Sequence, residues 1–367
     1  MDGPRIVKVK QELESLISDL EITIEYIEEK QTLYFWLNSR GNPRRYFNQE
    51  CGETKLPSDP HKFMENTYKE LTSLARGHPY PKEEIAARLE RIGNHLWNKI
   101  IPEELKDEYS KFRSCTRSIV VNADNPWIPW EIIKPHDVKR KIDDPFWCCK
   151  FLFSRWLSGH GPESNLKLGI VLPVAPDKKI LDHLKEEVEF MEQLNDLDPS
   201  IICQKHCRNY TDVMDWIENK NFSIMHFTSD CNPEDQSIKL NDYPLKPDDI
   251  HTMFGNAISD GGKRCRPLIF INTCNSGPTG VSLTLLGGWP SQFIQARAGA
   301  FIGTMWEIDD LLAVKFAKSF YTKLIRDKYN IAVAFRSARD DIREAMPHNS
   351  SWLAYVLYAD PYAQMNY

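Results

Sequence analysis

The sequence predicts an α/β fold with a mostly parallel sheet that is flanked by helices. From about residue 117 onward, apolar runs of strand length alternate with amphipathic segments of helix length, which is the pattern of parallel strands joined by crossover helices. The main apolar runs cover residues 166–172, 222–227, 268–271 and 299–305. Because continuous apolar runs between turn residues are typical of strands buried on both faces, we expect helices on both sides of this sheet.

Apolar residues at helical spacing predict the helices between and after these strands. Such stripes cover residues 181–194, 211–219, 246–257, 289–297, 309–326 and 331–345. Further short strands are expected at residues 117–122, 201–205 and 352–358.

The residues before this region predict a hairpin and helices. Residues 21–26 and 32–38 are rich in β-branched and aromatic residues and flank a short charged turn, which predicts two strands. Helical stripes cover residues 8–19, 61–76 and 82–100. We therefore divide the chain into an N-terminal hairpin and helical region, residues 1–110, packed on a core at residues 111–367. No linker composition marks this boundary.

Composition and charge narrow the functional classes. The 367 residues are 41% hydrophobic and 11% aromatic, which predicts a folded chain with a sizeable core. The net charge of −6 gives no sign of a nucleic-acid or anionic-membrane surface, and no apolar run is long enough to predict a membrane span. The nine cysteines lack the spacing of a small disulfide-rich domain, so we expect free thiols in a reducing, cytoplasmic compartment. The polar first ten residues do not resemble a signal peptide.

One group of residues raises the question of a metal site. Cys203, His206 and Cys207 lie close together in the sequence. No second pair of ligands follows at the spacing of a zinc finger, so the sequence predicts neither a metal nor a cofactor.

The apolar run at residues 268–271 leads into a cysteine and a small polar turn. Cys274 follows this strand, and Gly277 permits a sharp backbone turn soon after it. A thiol at the carboxyl end of a parallel strand lies where open α/β sheets place their binding crevices. The position therefore fits a cysteine nucleophile. It also fits a buried structural thiol, because free cysteine is among the most buried residue types.

Seven segments of the sequence occur in the order in which one protein family has them. They are residues 125–133, 222–227, 240–250, 272–277, 298–310, 320–324 and 352–361. The fourth segment, residues 272–277, matches the family's nucleophile turn, and the second, residues 222–227, matches the strand that carries the family's first histidine. On this ordered set the chain resembles the CHAT proteins, caspase-like peptidases related to separases, caspases and gingipains, over roughly residues 20–362.

The resemblance implies a caspase-like α/β fold in which Cys274 is the nucleophile. One departure from the family is important for the chemistry. The family's histidine strand continues to a second, catalytic histidine followed by glycine, whereas this sequence has Asp230 and Cys231 at those two positions.

Peptide cleavage by a cysteine needs a thiolate, a group that carries a proton to the leaving amine, and hydrogen-bond donors for the oxyanion. Asp230 suits the proton transfer poorly, because a carboxyl with an ordinary pKa of about 3.9 holds few protons near pH 7. Its negative charge also disfavours a thiolate at Cys274. Cys231 brings a Cβ to the position of the family's glycine, which is expected to displace an oxyanion donor.

His226 is the other candidate base. It lies four residues before Asp230, which corresponds to about 13 Å along an extended strand at about 3.3 Å per residue. The family also keeps a histidine at this strand position. His226 therefore fits either a catalytic base or a hydrogen-bonded strand residue.

Three acidic residues follow the apolar run at 299–305. In the caspase-like fold this region builds part of the substrate pocket, so the resemblance makes Glu307, Asp309 and Asp310 candidates for binding a basic substrate side chain. The alternative is that they stabilise the N-terminal end of the next helix.

Taken together, the resemblance implies a CHAT-family cysteine endopeptidase that acts on a protein or peptide, with an impaired or substituted base at Asp230. The alternative is an inactive pseudoprotease that binds a partner or peptide through the inherited cleft. A third interpretation is that Asp230 was engineered in place of a natural histidine. CHAT proteins commonly act as bacterial defence or signalling effectors that a partner or second messenger switches on, so the resemblance also implies an activating partner.

Overall fold

The structure is a computed structural model of the chain. It describes residues 18–39, 45–57, 59–76, 80–157, 161–177, 182–232, 235–250, 266–274 and 288–366. For residues 18, 19, 182–184, 273 and 274 it describes the backbone only.

The described strands are numbered in chain order. They are β1 (Ser18–Ile27), β2 (Thr32–Ser39), β3 (Gln49–Lys55), β4 (Thr116–Ala123), β5 (His136–Asp137), β6 (Ile142–Asp143), β7 (Leu152–Trp156), β8 (Asn165–Lys167), β9 (Ile170–Val174), β10 (Ile202–Cys203), β11 (Ile224–Asp230), β12 (Leu268–Cys274), β13 (Ala300–Thr304), β14 (Tyr355–Tyr358) and β15 (Gln364–Asn366).

The described α-helices are numbered in the same way. They are α1 (Pro60–Ala75), α2 (Lys82–Ile100), α3 (Glu103–Phe112), α4 (Trp147–Lys150), α5 (Asp182–Glu192), α6 (Tyr210–Asn219), α7 (Pro247–Ile250), α8 (Trp289–Gln295), α9 (Asp310–Tyr321), α10 (Ile331–Ala345) and α11 (Ser351–Ala354). A π-helical turn, Thr322–Arg326, continues α9.

One large sheet organises the described residues. Its eleven strands lie in the order β10-β9-β11-β12-β13-β14-β7-β4-β1-β2-β3. The pairs β13–β14, β1–β2 and β2–β3 are antiparallel, and the other neighbouring pairs are parallel. The predicted α/β fold with a mostly parallel sheet is therefore confirmed.

Helices cover both faces of the central strands, as the continuous apolar runs predict. Phe227 of β11 packs against Phe293 of α8, with ring centroids 6.3 Å apart. On the other face, Phe270 of β12 packs against Phe316 of α9 at 6.1 Å. Because every apolar residue from position 268 to 271 is buried, this part of the sheet is a rigid base for the residues that follow its strands.

The N-terminal strands belong to the same sheet. β1 pairs with β4 in parallel and with β2 in antiparallel orientation, so the predicted hairpin extends the sheet beyond β4. One hydrophobic core extends from Leu20 to Met365. The division at residue 110 stays a prediction, and the hairpin packs on the later strands through their edge.

Several predicted elements differ from those observed. Of the helix predicted at 8–19, Ser18 and Asp19 instead begin β1, and the remaining residues lie outside the described part of the chain. The single strand predicted at 166–172 is two strands, β8 and β9, and β9 continues to Val174 through Pro173, which is paired with His226. The last predicted strand, 352–358, begins as the helix α11.

Asp144 gives a prediction for the acid stability of this fold. Burial opposes its ionisation, but hydrogen bonds from Arg113 and Tyr109 and the nearby Lys150 ammonium outweigh burial and lower the pKa of Asp144 to about 2. A lowered pKa stabilises the fold above the unfolded-state value of about 3.9, and this stabilisation is lost as the pH falls towards 2.

We expect Asp144→Asn to remove this contribution. The free energy of unfolding of the wild type should exceed that of the variant by about 2 kcal/mol at pH 6, and the difference should shrink towards pH 2. Urea denaturation at both pH values measures it. A difference that stays constant between pH 6 and pH 2 would contradict the assignment.

Candidate active site at the ends of β11, β12 and β13

Asp230 and Cys274 are neighbours in the backbone of the sheet. β11 and β12 are parallel, and their register pairs Asp230 with Cys274 at the carboxyl end of both strands. Neighbouring strands are about 4.8 Å apart, so the two residues lie side by side at this edge. The structure therefore places the backbones of two candidate site residues, Cys274 and Asp230, side by side.

The end of β13 lies on the other side of Cys274. β12 pairs with β13 in parallel, with Leu268 beside Ala300 and Phe270 beside Ile302. The carboxyl ends of β12 and β13 therefore lie at the same edge of the sheet, and Glu307 follows Thr304, the last residue of β13, by three positions. This edge thus carries two acidic residues, Asp230 at the end of β11 and Glu307 after the end of β13.

A lysine accompanies Asp230. The Nζ atom of Lys239 lies 3.4 Å from Oδ2 of Asp230, and the backbone N–H of Lys239 donates a hydrogen bond to the Asp230 carbonyl at 3.0 Å. The Ser229 hydroxyl donates to the Lys239 carbonyl at 2.6 Å. These contacts fix the loop segment around Lys239 against the end of β11.

Cys231 is buried directly after Asp230. Burial, and then the charge of Asp235, raise the pKa of the Cys231 thiol to about 12. Its backbone forms a β-bridge with Ile238, and the next residue, Asn232, donates its N–H to the Ser237 carbonyl at 2.8 Å. Since a thiol with a raised pKa is a poor nucleophile, Cys231 does not compete with Cys274 for that role.

His226 lies deeper in the sheet than Asp230. Its register partner is Phe270, and its side chain is fully buried. Its Nε2 atom is 2.8 Å from Oε1 of Glu187, and its Nδ1 atom is 3.1 Å from the Tyr321 hydroxyl. These contacts match the alternative of a hydrogen-bonded strand residue, and the catalytic role stays a prediction.

The same buried network reaches the strand of Cys274. Asn272 donates from Nδ2 to Glu187 Oε1 at 2.5 Å and to the Ala313 carbonyl at 3.2 Å. The Tyr355 hydroxyl donates to Asn272 Oδ1 at 2.9 Å. Because such hydrogen bonds are buried, they hold β11 and β12 in one register with helices α5 and α9.

Glu307 is engaged by the N-terminal region. Arg76, which follows α1, donates from Nε to Glu307 Oε1 at 3.1 Å and from Nη2 to Oε2 at 2.5 Å. This is a two-bond arginine–carboxylate pair, which holds both side chains in a defined geometry.

Asp309 and Asp310 lie at the start of α9. Asp309 Oδ1 accepts hydrogen bonds from the N–H groups of Leu311 at 3.0 Å and Leu312 at 3.2 Å, so the capping alternative is observed for Asp309. Asp310 is the first residue of the helix, where a negative charge suits the positive end of its dipole. For all three acidic residues a substrate-binding role stays a prediction.

The described residues also bear on metal binding and on membrane spans. No cluster of three or more histidine, cysteine, aspartate or glutamate side chains there could hold a metal ion. His206 instead has its Nδ1 atom 2.7 Å from Oε1 of Glu192. No helix among the described residues has the length and apolar character needed to cross a membrane.

Two cations of this edge were not predicted from the sequence. Arg76 is separated from Glu307 by most of the chain, so no local pattern joins them. Lys239 follows Asp230 closely, but a lysine in a polar loop gives no signal of its own. The only signal is in the sheet, where the register places Asp230 beside Cys274 and the parallel order of β12 and β13 places Glu307 at the same edge.

The comparisons with known proteins agree with this architecture. Residues 219–361 match the family model of the CHAT domain, which confirms the resemblance over this part of the chain. No curated protein sequence matches the chain.

Solved structures extend the likeness to nearly the whole fold. Two crystal structures of the Saccharomyces cerevisiae separase–securin complex are similar, one with a TM-score of 0.54 at 10% identity over 95% of this chain, the other with 0.51 at 9% over 96%. This chain covers 30% of the matched chain in each case. The Arg-specific cysteine proteinase gingipain R aligns with a TM-score of 0.47 at 9% identity, over 83% of this chain and 76% of its own. At such low identity the separase likeness shows the fold alone, which is that of a caspase-like cysteine peptidase.

Proposed function

Because residues 219–361 match the CHAT domain, we propose that this chain is a caspase-like pseudoprotease that binds a polypeptide segment without cleaving it at an appreciable rate. In this proposal Cys274 holds the position of the nucleophile, and Asp230 holds the position of the base. The observation that carries the proposal is the register of β11 and β12, in which Asp230 is the direct neighbour of Cys274.

The chemistry of the two residues supports the loss of cleavage. A cysteine peptidase needs an ionised thiol and a group that gives a proton to the leaving amine. A carboxylate beside the thiol disfavours its ionisation, and it carries few protons at neutral pH. The other candidate base, His226, is buried with hydrogen-bond partners at both ring nitrogens.

A conditional cysteine endopeptidase is the second candidate function. The observation that favours it is the ammonium group of Lys239, 3.4 Å from Asp230, which offsets part of the negative charge beside Cys274. The missing base would then come from an activating partner. Separase, whose fold is similar, has been solved in complex with securin, and a protein partner is proposed here by analogy with that complex.

The cellular setting follows as part of the same proposal. All the described cysteines are free thiols, which suits the reducing environment of the cytoplasm. A role as a bacterial defence or signalling effector is proposed from the family resemblance.

Reaction with a peptidyl acyloxymethyl ketone tests the proposal. This weak electrophile reacts with activated thiolates, so we expect no adduct on Cys274 at pH 7 by mass spectrometry. Iodoacetamide should modify the exposed Cys115 in the same sample, which shows that thiols are reduced and reactive. An adduct on Cys274 that is lost in Cys274→Ala would instead establish the endopeptidase.

The proposed binding of a polypeptide segment is tested separately. A pool of fluorescent peptides should bind the full chain saturably in fluorescence polarisation, and Cys274→Ala should bind equally well, since no covalent step is needed. Failure of every peptide to bind would contradict a polypeptide cleft.

A further inference from the structure

Asp230 and Glu307, the acidic residues at the ends of β11 and β13, are each paired with a more exposed cation. Arg76 pairs with Glu307, and their side chains are 41% and 16% exposed. Lys239 pairs with Asp230, and their side chains are 55% and 30% exposed. In each pair the cation is therefore the partner that is more accessible to a ligand.

The guanidinium of Arg76 has donors left for a ligand. A guanidinium carries five N–H groups, and the hydrogen bonds from Nε and Nη2 to Glu307 use two of them. The remaining N–H groups can bind a second carboxylate while the pair with Glu307 is kept. A basic side chain, in contrast, would have to displace Arg76 before it reached Glu307.

Buried hydrogen bonds hold the end of α1 at this edge. Asn349 donates from Nδ2 to the Ala75 carbonyl at 2.7 Å, and the Ser350 hydroxyl donates to the Leu71 carbonyl at 2.6 Å. Trp306, two residues after the end of β13, donates from Nε1 to Ser350 Oγ at 3.3 Å. Arg76, the next residue after α1, is thus positioned by the same contacts that hold the end of β13.

We propose that Arg76 is a specificity-determining residue, and that it binds an acidic side chain of the polypeptide segment recognised at this edge. This inference rests on the proposed function, because it needs a polypeptide in the cleft. It assigns a role to the N-terminal region, which supplies the residue. It also differs from the charge preference that Glu307 suggests from sequence alone, because the Glu307 carboxylate is paired with Arg76.

Peptide pools that differ at one position test the inference. We would compare pools of fluorescent decapeptides with a fixed Asp, Asn or Lys, using the full chain and fluorescence polarisation. The wild type should bind the best Asp pool about tenfold more tightly than the matching Asn pool, and Lys pools more weakly still. Arg76→Gln should reduce the Asp preference to about twofold or less.

Three further variants control the measurement. Arg76→Lys keeps the positive charge without the planar fork, so it should retain an intermediate preference. Glu307→Gln leaves Arg76 without its carboxylate and should keep or widen the preference for Asp. Arg91→Gln removes an exposed arginine that pairs with Glu84 within α2, and it should leave the preference unchanged.

The outcomes separate this inference from the proposed function. An Asp preference that survives in Arg76→Gln, or a wild-type preference for Lys, overturns the role of Arg76 while peptide binding stands. If no pool binds the wild type, the proposed function fails and the inference fails with it. Thermal unfolding of each variant verifies that it is folded. If Arg76→Gln does not fold, the Asp preference of the Arg76→Lys and Glu307→Gln variants decides whether Arg76 sets the specificity.

Discussion

Replacing Glu131 by leucine is expected to lower the free energy of unfolding by about 3–5 kcal/mol. Glu131 and Arg155 are 1% and 2% exposed, and Arg155 donates from Nε to Glu131 Oε1 at 2.7 Å as well as from Nη2 to Oε2. Nη1 of Arg155 also donates to the Pro126 carbonyl at 3.3 Å. The variant would leave a guanidinium buried in β7 without its counter-charge, which is the costly half of a broken buried ion pair.

The double variant Glu131→Leu/Arg155→Met is the matched control. It removes both charges and keeps apolar volume, so we expect it to unfold at a free energy closer to the wild type than Glu131→Leu does. Urea denaturation at pH 7 measures all three proteins. A loss below about 1 kcal/mol in Glu131→Leu would mean that water reaches Arg155 and that the pair is not buried.

Asp230→His is expected to increase the rate at which iodoacetamide alkylates Cys274 at pH 7 by about 20-fold or more. A cysteine with an ordinary pKa of about 8.5 is only about 3% thiolate at pH 7. An imidazolium beside a thiol lowers the pKa of the thiol below 7, so more than half becomes thiolate. The strand register puts residue 230 beside Cys274, which is why this single change should be sufficient.

Asp230→Asn separates charge from the imidazole. It removes the negative charge without adding a cation, so the rate should rise only about 3- to 5-fold. Mass spectrometry with Cys274→Ala assigns the adduct. Equal rates in Asp230→His and Asp230→Asn would show that residue 230 does not act on the Cys274 thiol. Cleavage of a peptide pool by Asp230→His would show that the remaining catalytic groups are still in place.

Most of the sheet could be predicted because its strands are apolar. The strands β11, β12 and β13 and the helix α10 follow from local patterns that their surroundings reinforce. β7 was missed because Arg155 interrupts its apolar run, and this charge is buried only because Glu131 reaches it from another segment. β3 was missed because its residues are mostly polar, as an edge strand permits.

The candidate site was predictable only in part, because some of its contacts join residues that are far apart in the sequence. The ordered motifs make Cys274 and Asp230 candidates, and the structure adds that their strands are adjacent, with the two residues paired in register. The pair of Arg76 with Glu307 depends on how α1 packs near the end of β13, and no local pattern in the sequence reports such packing. From the sequence, Glu307 was therefore only a candidate for substrate binding or for stabilising the next helix, and its pair with Arg76 was not predicted.

The pH dependence of Cys274 alkylation tests the central claim, that a carboxylate and not a base stands beside the nucleophile position. We would measure the iodoacetamide rate from pH 6 to pH 10 in the wild type and in Asp230→Asn. We expect a wild-type midpoint at or above about pH 8.5 and a lower midpoint in Asp230→Asn, because removal of the like charge favours the thiolate. A wild-type midpoint below pH 7, or one that Asp230→Asn raises, would contradict it.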